Sequence, residues 1–192
     1  MFLLKKPSNE QIQQFVLSQR DIPFSYAEVG ATRDHPTEDY TIDHNRRKLG
    51  AGARIFERAV AALKEWKQFD LGWVQMVPAG TPIEVGSVVA ILTRHFGFWS
   101  LNACRVVYLV NEDGPVKKFG FAYGTLASHV ERGEERFIIE WHADDDSVWY
   151  DILAFSRPNK FIVKLGLPLT RMLQKRFARD SLAVLAKMVD KT

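Results

Sequence analysis

The chain has 192 residues, of which 46% are hydrophobic and 26% charged, a composition that excludes a disordered or fibrous protein. Its net charge is only +3 and acidic residues are interspersed among the basic ones, so we expect no nucleic-acid partner. One cysteine, Cys104, excludes an internal disulfide and a cysteine-based metal site. No apolar stretch has transmembrane length and no signal peptide is recognisable, so we expect a cytoplasmic protein. We also expect no cofactor.

The first 38 residues or so predict a helical arm. Ser8 with Gln11 three residues later forms a capping-box pattern, which marks the start of a short helix. The helix is expected to end before Pro23. The stretch that follows contains Gly30 and Pro36 and is predicted to be irregular.

A strand and a helix are predicted next. Residues 40–49 alternate, with polar side chains on both faces at the far end, as in an edge strand. Residues 50–52, Gly-Ala-Gly, then lead into an amphipathic helix. The beginning resembles a dinucleotide fingerprint, but Ile55 stands where the third glycine belongs and antiparallel strands follow. A tight strand-to-helix turn is therefore the prediction.

Six further strands are predicted between residues 71 and 156, separated by turn residues. Short strands joined by short turns pair antiparallel, so we expect a meander. The predicted strands are residues 71–77, 87–95, 102–110, 117–125, 134–142 and 148–155.

A long C-terminal helix is predicted over residues 166–188. Its apolar stripe is expected to pack on the sheet and consists of Leu169, Leu173, Phe177, Val184 and Met188.

The order of these elements predicts an α+β protein of the helix-grip class, by analogy with known folds. In that architecture a curved antiparallel sheet, here of about six to seven strands, wraps around a long C-terminal helix. We expect one helix-grip-like domain over residues 1–192, with an N-terminal helical arm at about 1–38 and a cavity between sheet and helix.

Two groups of charges stand out on the C-terminal helix. Arg176 and Asp180 fall within the predicted apolar stripe and stand four residues apart, so they can pair. Buried charges need partners, so the pair either anchors the helix or presents polar groups to a ligand. Arg171, Lys175 and Arg179 are predicted on the opposite, exposed face, where they are either solvated or available to an acidic partner.

The strand at 134–142 and the residues before it hold further candidates. Glu135 shares a face with three apolar residues, whereas Glu134 and Arg136 lie on the other face, which borders either solvent or the cavity. His129 and Glu131 are predicted to lie in a polar loop. Either they form a solvated hairpin loop, or they carry out acid–base chemistry or bind a metal; ligand spacing for a metal is missing, so no metal site is predicted.

Five stretches distinguish the chain further: FSYAEVGAT at 24–32, FDLGW at 69–73, FGFAYGTL at 119–126 with His129, GEERF at 133–137, and AFSRP at 154–158. Together they resemble the family called domain of unknown function 1990 (DUF1990, also UPF0548), over nearly the whole chain. The family is similar to the helix-grip superfamily of START, lipid-transfer, polyketide-cyclase and plant-allergen proteins (SRPBCC). The resemblance implies an apolar cavity. It transfers no catalytic residue, because these vary between members.

Three functions are therefore considered. The first is binding of a small hydrophobic or amphipathic ligand in the cavity, and the second is a cyclase, dehydratase or hydrolase that uses the same cavity. The third is a protein-interaction module on the basic face of the C-terminal helix. The ligand-binding candidates are Tyr123, Glu134, Arg136, Tyr150, Arg176 and Asp180. The catalytic candidates are His129, Glu131 and Glu134. The sequence leaves open the choice among the functions, the ligand and the oligomeric state.

Overall fold

The computed structural model describes residues 1–33, 39–159 and 167–190. Eight strands are found in this part of the chain: β1 Phe2–Leu3, β2 Thr41–Ala51, β3 Val74–Val77, β4 Val88–Arg94, β5 Trp99–Glu112, β6 Val116–Thr125, β7 Glu131–His142 and β8 Ser147–Pro158. The helices are α1 Asn9–Ser18, α2 Ala53–Lys64 and α3 Leu167–Asp190, with a 3-10 turn at Lys67–Phe69.

The strands form one antiparallel sheet. Strands β3 to β8 pair in chain order, and β2 extends the sheet beyond β8. Strand β1 pairs with the first residues of β5, with Phe2 opposite Ser100. This part of β5 precedes the segment that pairs with β6. The sheet is curved and α3 packs on its concave face. This confirms the predicted α+β helix-grip class.

Each face of the sheet has its own apolar core. On the concave face, aromatic side chains of the sheet pack against α2, the 3-10 turn and α3, with Phe121, Phe137 and Leu185 fully buried. On the convex face, α1 covers Leu92 and Leu101 of β4 and β5. Alternate residues of a strand point to opposite faces of the sheet. The side chains that point to the concave face are the ones that border the cavity.

Local sequence explains two of the boundaries. Ser8 and Gln11 make the reciprocal capping-box hydrogen bonds that the sequence predicts at the start of α1. The predicted turn between β2 and α2 is also confirmed. Gly52 has a φ of +90° there, a conformation that glycine adopts without a steric penalty.

The buried face of α3 differs from the predicted stripe. The buried residues of α3 are Ala178, Ser181, Leu185, Ala186 and Val189, whereas Val184 is only partly buried. Phe177 of the predicted stripe is partly buried and packs against the same core. The side chain of Leu169 lies outside the described residues.

The remaining differences concern strand ends. Strand β1 was not predicted, and β5 begins at Trp99 because its first residues pair with both β1 and β4. Strand β7 begins at Glu131, so Glu131 lies in the strand rather than in the predicted polar loop, whereas His129 lies in the turn before it. Residues 34–38 of the predicted arm and residues 160–166 lie outside the described residues. No helix in the described part of the chain is long and apolar enough to cross a membrane.

Candidate functional site

A cavity of about 1230 Å³ lies between the concave face of the sheet and the first half of α3. The second half of α3 packs into the core, so the helix closes one end of the curved sheet and leaves the other end hollow. The apolar part of the lining comes from the 3-10 turn, the sheet and the helix, and includes Phe69, Trp73, Ile91, Ile152, Leu173 and Phe177.

Two carboxyl groups of β7 border this cavity. Glu131 and Glu135 stand four residues apart on the concave face, with Gly133 between them. Burial raises the pKa of Glu131 to about 7, although the Arg171 guanidinium opposes this shift. Burial also raises the pKa of Glu135 to about 7, against the lowering effect of a hydrogen bond from Tyr123. Within the described part of the chain, neither carboxyl forms an ion pair.

Neutral hydrogen-bonding groups hold these carboxyls in place. The Tyr123 hydroxyl donates to Glu135 Oε2 over 2.7 Å. Gln174 of α3 donates from Nε2 to Glu131 Oε1 over 2.7 Å and to the Ser156 hydroxyl over 3.0 Å. Gln174 therefore connects the helix to β7 and β8 at the cavity wall.

His129 lies at the same end of the cavity. Its Nδ1 accepts a hydrogen bond of 2.9 Å from the backbone N–H of Glu131, and its ring borders the cavity. Its neighbour Glu131, with a pKa of about 7, is a group that transfers protons near neutral pH.

A second polar group borders the cavity from β5 and from the turn before it. His95 Nε2 is 2.8 Å from the Ser100 hydroxyl, and Asn102 donates to the same hydroxyl over 3.2 Å. Asn102 is 8% exposed, and its buried Oδ1 has no hydrogen-bond partner among the described residues. A buried carbonyl oxygen without a partner is costly, and Asn102 is one of the residues that border the cavity.

In the part of the chain that the structure describes, no group of three or more His, Cys, Asp or Glu side chains is arranged to hold a metal ion.

Comparison with known proteins identifies the family. The family model described as "Domain of unknown function (DUF1990)" matches residues 25–184. The chain belongs to the DUF1990 family. Among its relatives, a UPF0548 protein of Dictyostelium discoideum is 41% identical over 98% of this chain and 96% of its own length. One of Deinococcus radiodurans is 38% identical over 97% and 98%. The UPF0548 protein At2g17695 of Arabidopsis thaliana is 33% identical over 96% of each.

Three solved structures are similar to this chain with TM-scores below 0.5. The hypothetical protein jhp0584 of Helicobacter pylori has a TM-score of 0.49 at 12% identity and covers 86% of this chain and 95% of its own. Norcoclaurine synthase from Thalictrum flavum, in complex with dopamine and hydroxybenzaldehyde, has 0.47 at 13%, with 80% and 89% covered. Human STARD10 has 0.41 at 12%, with 93% and 81% covered. Likenesses of this strength carry no conclusion about a ligand or an activity.

Two of the stretches that resemble DUF1990 bind each other on the convex face. Glu134 is 2% exposed, and its Oε2 accepts hydrogen bonds from the Tyr26 hydroxyl over 2.8 Å and the Gly30 N–H over 2.7 Å. Its Oε1 accepts from the Thr32 N–H over 3.0 Å and from the Thr32 hydroxyl. Glu134 also borders the cavity, but both of its oxygens are occupied by the N-terminal arm.

Arg136 takes part in the same attachment. It donates to the Thr32 carbonyl over 2.8 Å and to Asp151 over 3.1 Å, and it does not border the cavity. His44 contacts the other oxygen of Asp151 over 2.6 Å. The sequence left open whether Glu134 and Arg136 face solvent or the cavity. Both side chains instead lie on the convex face, where they bind the N-terminal arm.

Arg176 and Asp180 lie at the edge of the cavity wall rather than in a buried stripe. The Arg176 guanidinium stacks 4.3 Å from the ring centroid of Trp73, and the Trp73 indole N–H donates to Asp180 over 3.1 Å. Trp73 borders the cavity, so the pair positions a cavity-lining side chain from outside. The prediction that these charges lie on the buried face was wrong, because the Arg176 side chain is 45% exposed and that of Asp180 is 26% exposed.

The other candidates divide between the cavity and the core. Tyr123 borders the cavity. Tyr150 is fully buried, and its hydroxyl lies 3.1 Å from that of Ser181, so it joins the sheet to α3. Arg171 was predicted to be exposed, but it forms a two-pronged ion pair with Asp43 of β2 at 2.5 and 2.7 Å.

Sequence reasoning missed Glu135, Gln174 and Asn102 as residues of the DUF1990 cavity. A usable signal existed for Glu135, because it is an acid on the apolar face of a strand. Gln174 and Asn102 are single amides that carry no motif, and only the curvature of the sheet and the rotation of α3 bring them to the wall.

Proposed function

We propose that this protein binds a small amphipathic molecule in the cavity beneath α3. The observation that carries the proposal is the cavity itself, whose largely apolar wall carries a few polar groups at one end. Ligand sites are typically clefts of roughly 300–1,000 Å³ with such a lining, and about 1230 Å³ is ample for a molecule of that size.

The polar groups indicate what the head of the ligand offers. Glu131 and Glu135 border the cavity and lack ion pairs within the described residues. Both accept hydrogen bonds once they are ionised. The ligand therefore carries hydrogen-bond donors, as an alcohol or an amine does, and its chain or rings contact Phe69 and Phe177.

Calorimetric titration with three amphiphiles of equal chain length tests this proposal. At pH 8, where most of both carboxyls are ionised, dodecanol and dodecylamine should bind with a stoichiometry of one. Dodecanoate should bind at least about tenfold more weakly, because its head is repelled by Glu131 and Glu135.

A variant that fills the cavity supplies the control. Ala154 borders the cavity, and Ala154→Phe should reduce binding of all three compounds, whereas Ala79→Phe, on an exposed loop, should not. Equal binding by the wild type and Ala154→Phe would show that the cavity is not the binding site.

Acid–base catalysis in the same cavity is the second candidate. It is favoured by the pKa of about 7 of Glu131 and Glu135, because a group with such a pKa both gives and takes protons at neutral pH. The classes considered are a cyclase, a dehydratase and a hydrolase. Conversion of a bound compound that stops in Glu131→Gln or Glu135→Gln, while binding persists, would favour catalysis over binding alone.

One of the three basic residues on which the interaction-module hypothesis depends is already engaged within the protein. Arg171 is engaged by Asp43, which leaves Lys175 and Arg179 as exposed members of the proposed basic face. Arg179 itself is close to Asp180, at 2.8 Å. A cytoplasmic location and a single domain over residues 1–192 stay predictions.

A further inference from the structure

An exposed apolar tip stands at one end of the sheet. Phe96, at the turn between β4 and β5, is 83% exposed, Leu4 is 88% exposed and Phe2 is 54% exposed. Phe2 pairs with Ser100 in an antiparallel ladder, which directs Leu4 toward the turn that carries Phe96. The rings of Phe2 and Phe98 lie 5.8 Å apart. We call Phe2, Leu4 and Phe96 the apolar tip.

The charges next to the apolar tip are basic. Residues 1–8 and 91–99 contain Lys5, Lys6 and Arg94 and no acidic residue. The Lys6 ammonium lies 5.7 Å from the ring centroid of Trp99, and the Arg94 guanidinium lies 6.0 Å from it. An apolar centre with a tryptophan and cations around it is the pattern of surfaces that bind anionic membranes.

The apolar tip also continues into the cavity. Phe2 and Leu4 border the cavity, and so do His95 and Phe98 of the β4–β5 turn. A surface in contact with the apolar tip would therefore lie beside the cavity in which an amphipathic molecule is proposed to bind.

We propose that the apolar tip docks on an anionic membrane surface. Phe96 and Leu4 enter the headgroup region, and Lys5, Lys6 and Arg94 face the lipid phosphates. Large apolar side chains exposed to this extent indicate an interaction site. A second copy that met this surface through its own tip would bring the two sets of cations together, so charge favours a lipid surface over self-association.

Co-sedimentation of the full chain with phosphatidylcholine vesicles, with and without phosphatidylserine, tests the proposal. The wild type should bind vesicles that contain phosphatidylserine, and less so at high salt. Phe96→Ser with Leu4→Ser should weaken binding by about tenfold or more, because two large apolar groups no longer leave water. Lys5→Gln with Lys6→Gln should weaken binding by about tenfold.

Val85→Ser with Leu109→Ser is the matched control. These residues are 65% and 42% exposed, and Val85 precedes β4 at the end opposite the apolar tip. This control should bind like the wild type, and circular dichroism should show that all variants fold. Absence of binding to phosphatidylserine vesicles at low salt would overturn the proposal. So would an equal loss in the control, or self-association that depends on Phe96 without vesicle binding.

Discussion

Tyr26 donates a hydrogen bond of 2.8 Å to Glu134, and this contact holds the N-terminal arm against the convex face of the sheet. Two backbone N–H groups and the Thr32 hydroxyl complete the set of donors to that carboxylate. One buried acid of β7 thus accepts four of the hydrogen bonds that attach the arm to the sheet.

Substitution of that acid should destabilise the fold. Glu134→Gln keeps the size of the side chain but removes its charge and puts a donor next to donors, so we expect the free energy of unfolding to fall by about 2–4 kcal/mol. Urea denaturation measures the change. Glu57→Gln, on the exposed face of α2, should change stability by less than about 0.5 kcal/mol. Equal stability of the two variants would contradict the attachment.

The contact between Tyr26 and Glu134 should also depend on the absence of a side chain at Gly124. A Cβ at this position would lie 2.0 Å from the Tyr26 hydroxyl oxygen, so Gly124→Ala forces Tyr26 out of place. We expect a loss of about 1–3 kcal/mol in the wild-type background and a smaller loss when Tyr26→Ala is already present. A double-mutant cycle by urea denaturation measures this coupling. Additive losses would show that Tyr26 is not the obstacle.

Stability should depend on pH through the cavity carboxyls. Burial raises the pKa of Glu131 and of Glu135 to about 7 from an ordinary 4.5, so the folded state binds more protons than the unfolded state between these values. Their contribution to stability is fully present below about pH 4.5 and is lost as the pH rises through about 7.

The matching measurement compares the wild type with Glu135→Gln, which cannot ionise. Between pH 5 and pH 8 the free energy of unfolding of the wild type should fall relative to this variant, by on the order of 1 kcal/mol or more. A constant difference between the two proteins across this range would mean that Glu135 has an ordinary pKa when folded.

The exposed pair on α3 should matter little for stability. Arg176→Ala removes a guanidinium that is largely solvated and stacked on Trp73, so we expect a loss of less than about 1 kcal/mol. The tryptophan emission should shift, because the environment of Trp73 changes. A loss above about 2 kcal/mol would show that the pair carries the buried role that sequence patterning assigned to it.

The class of fold could be predicted because its determinants are local. Alternation marks the strands, turn residues separate them, and Ser8 with Gln11 marks the first helix. The position of side chains relative to the cavity depends on curvature and on helix rotation, which are set by contacts between distant residues. Glu134 and Glu135 lie on opposite faces because strand residues alternate, but which face borders the main part of the cavity follows from the curvature of the sheet.

The central claim, a cavity that holds an amphipathic molecule, is tested most directly by native mass spectrometry of protein purified from its own host. The wild type and Ala79→Phe should carry a small molecule that is released on denaturation and has an apolar part and a hydrogen-bond donor. Ala154→Phe should carry much less of it. A wild-type protein that carries no such molecule and binds neither dodecanol nor dodecylamine would contradict the account.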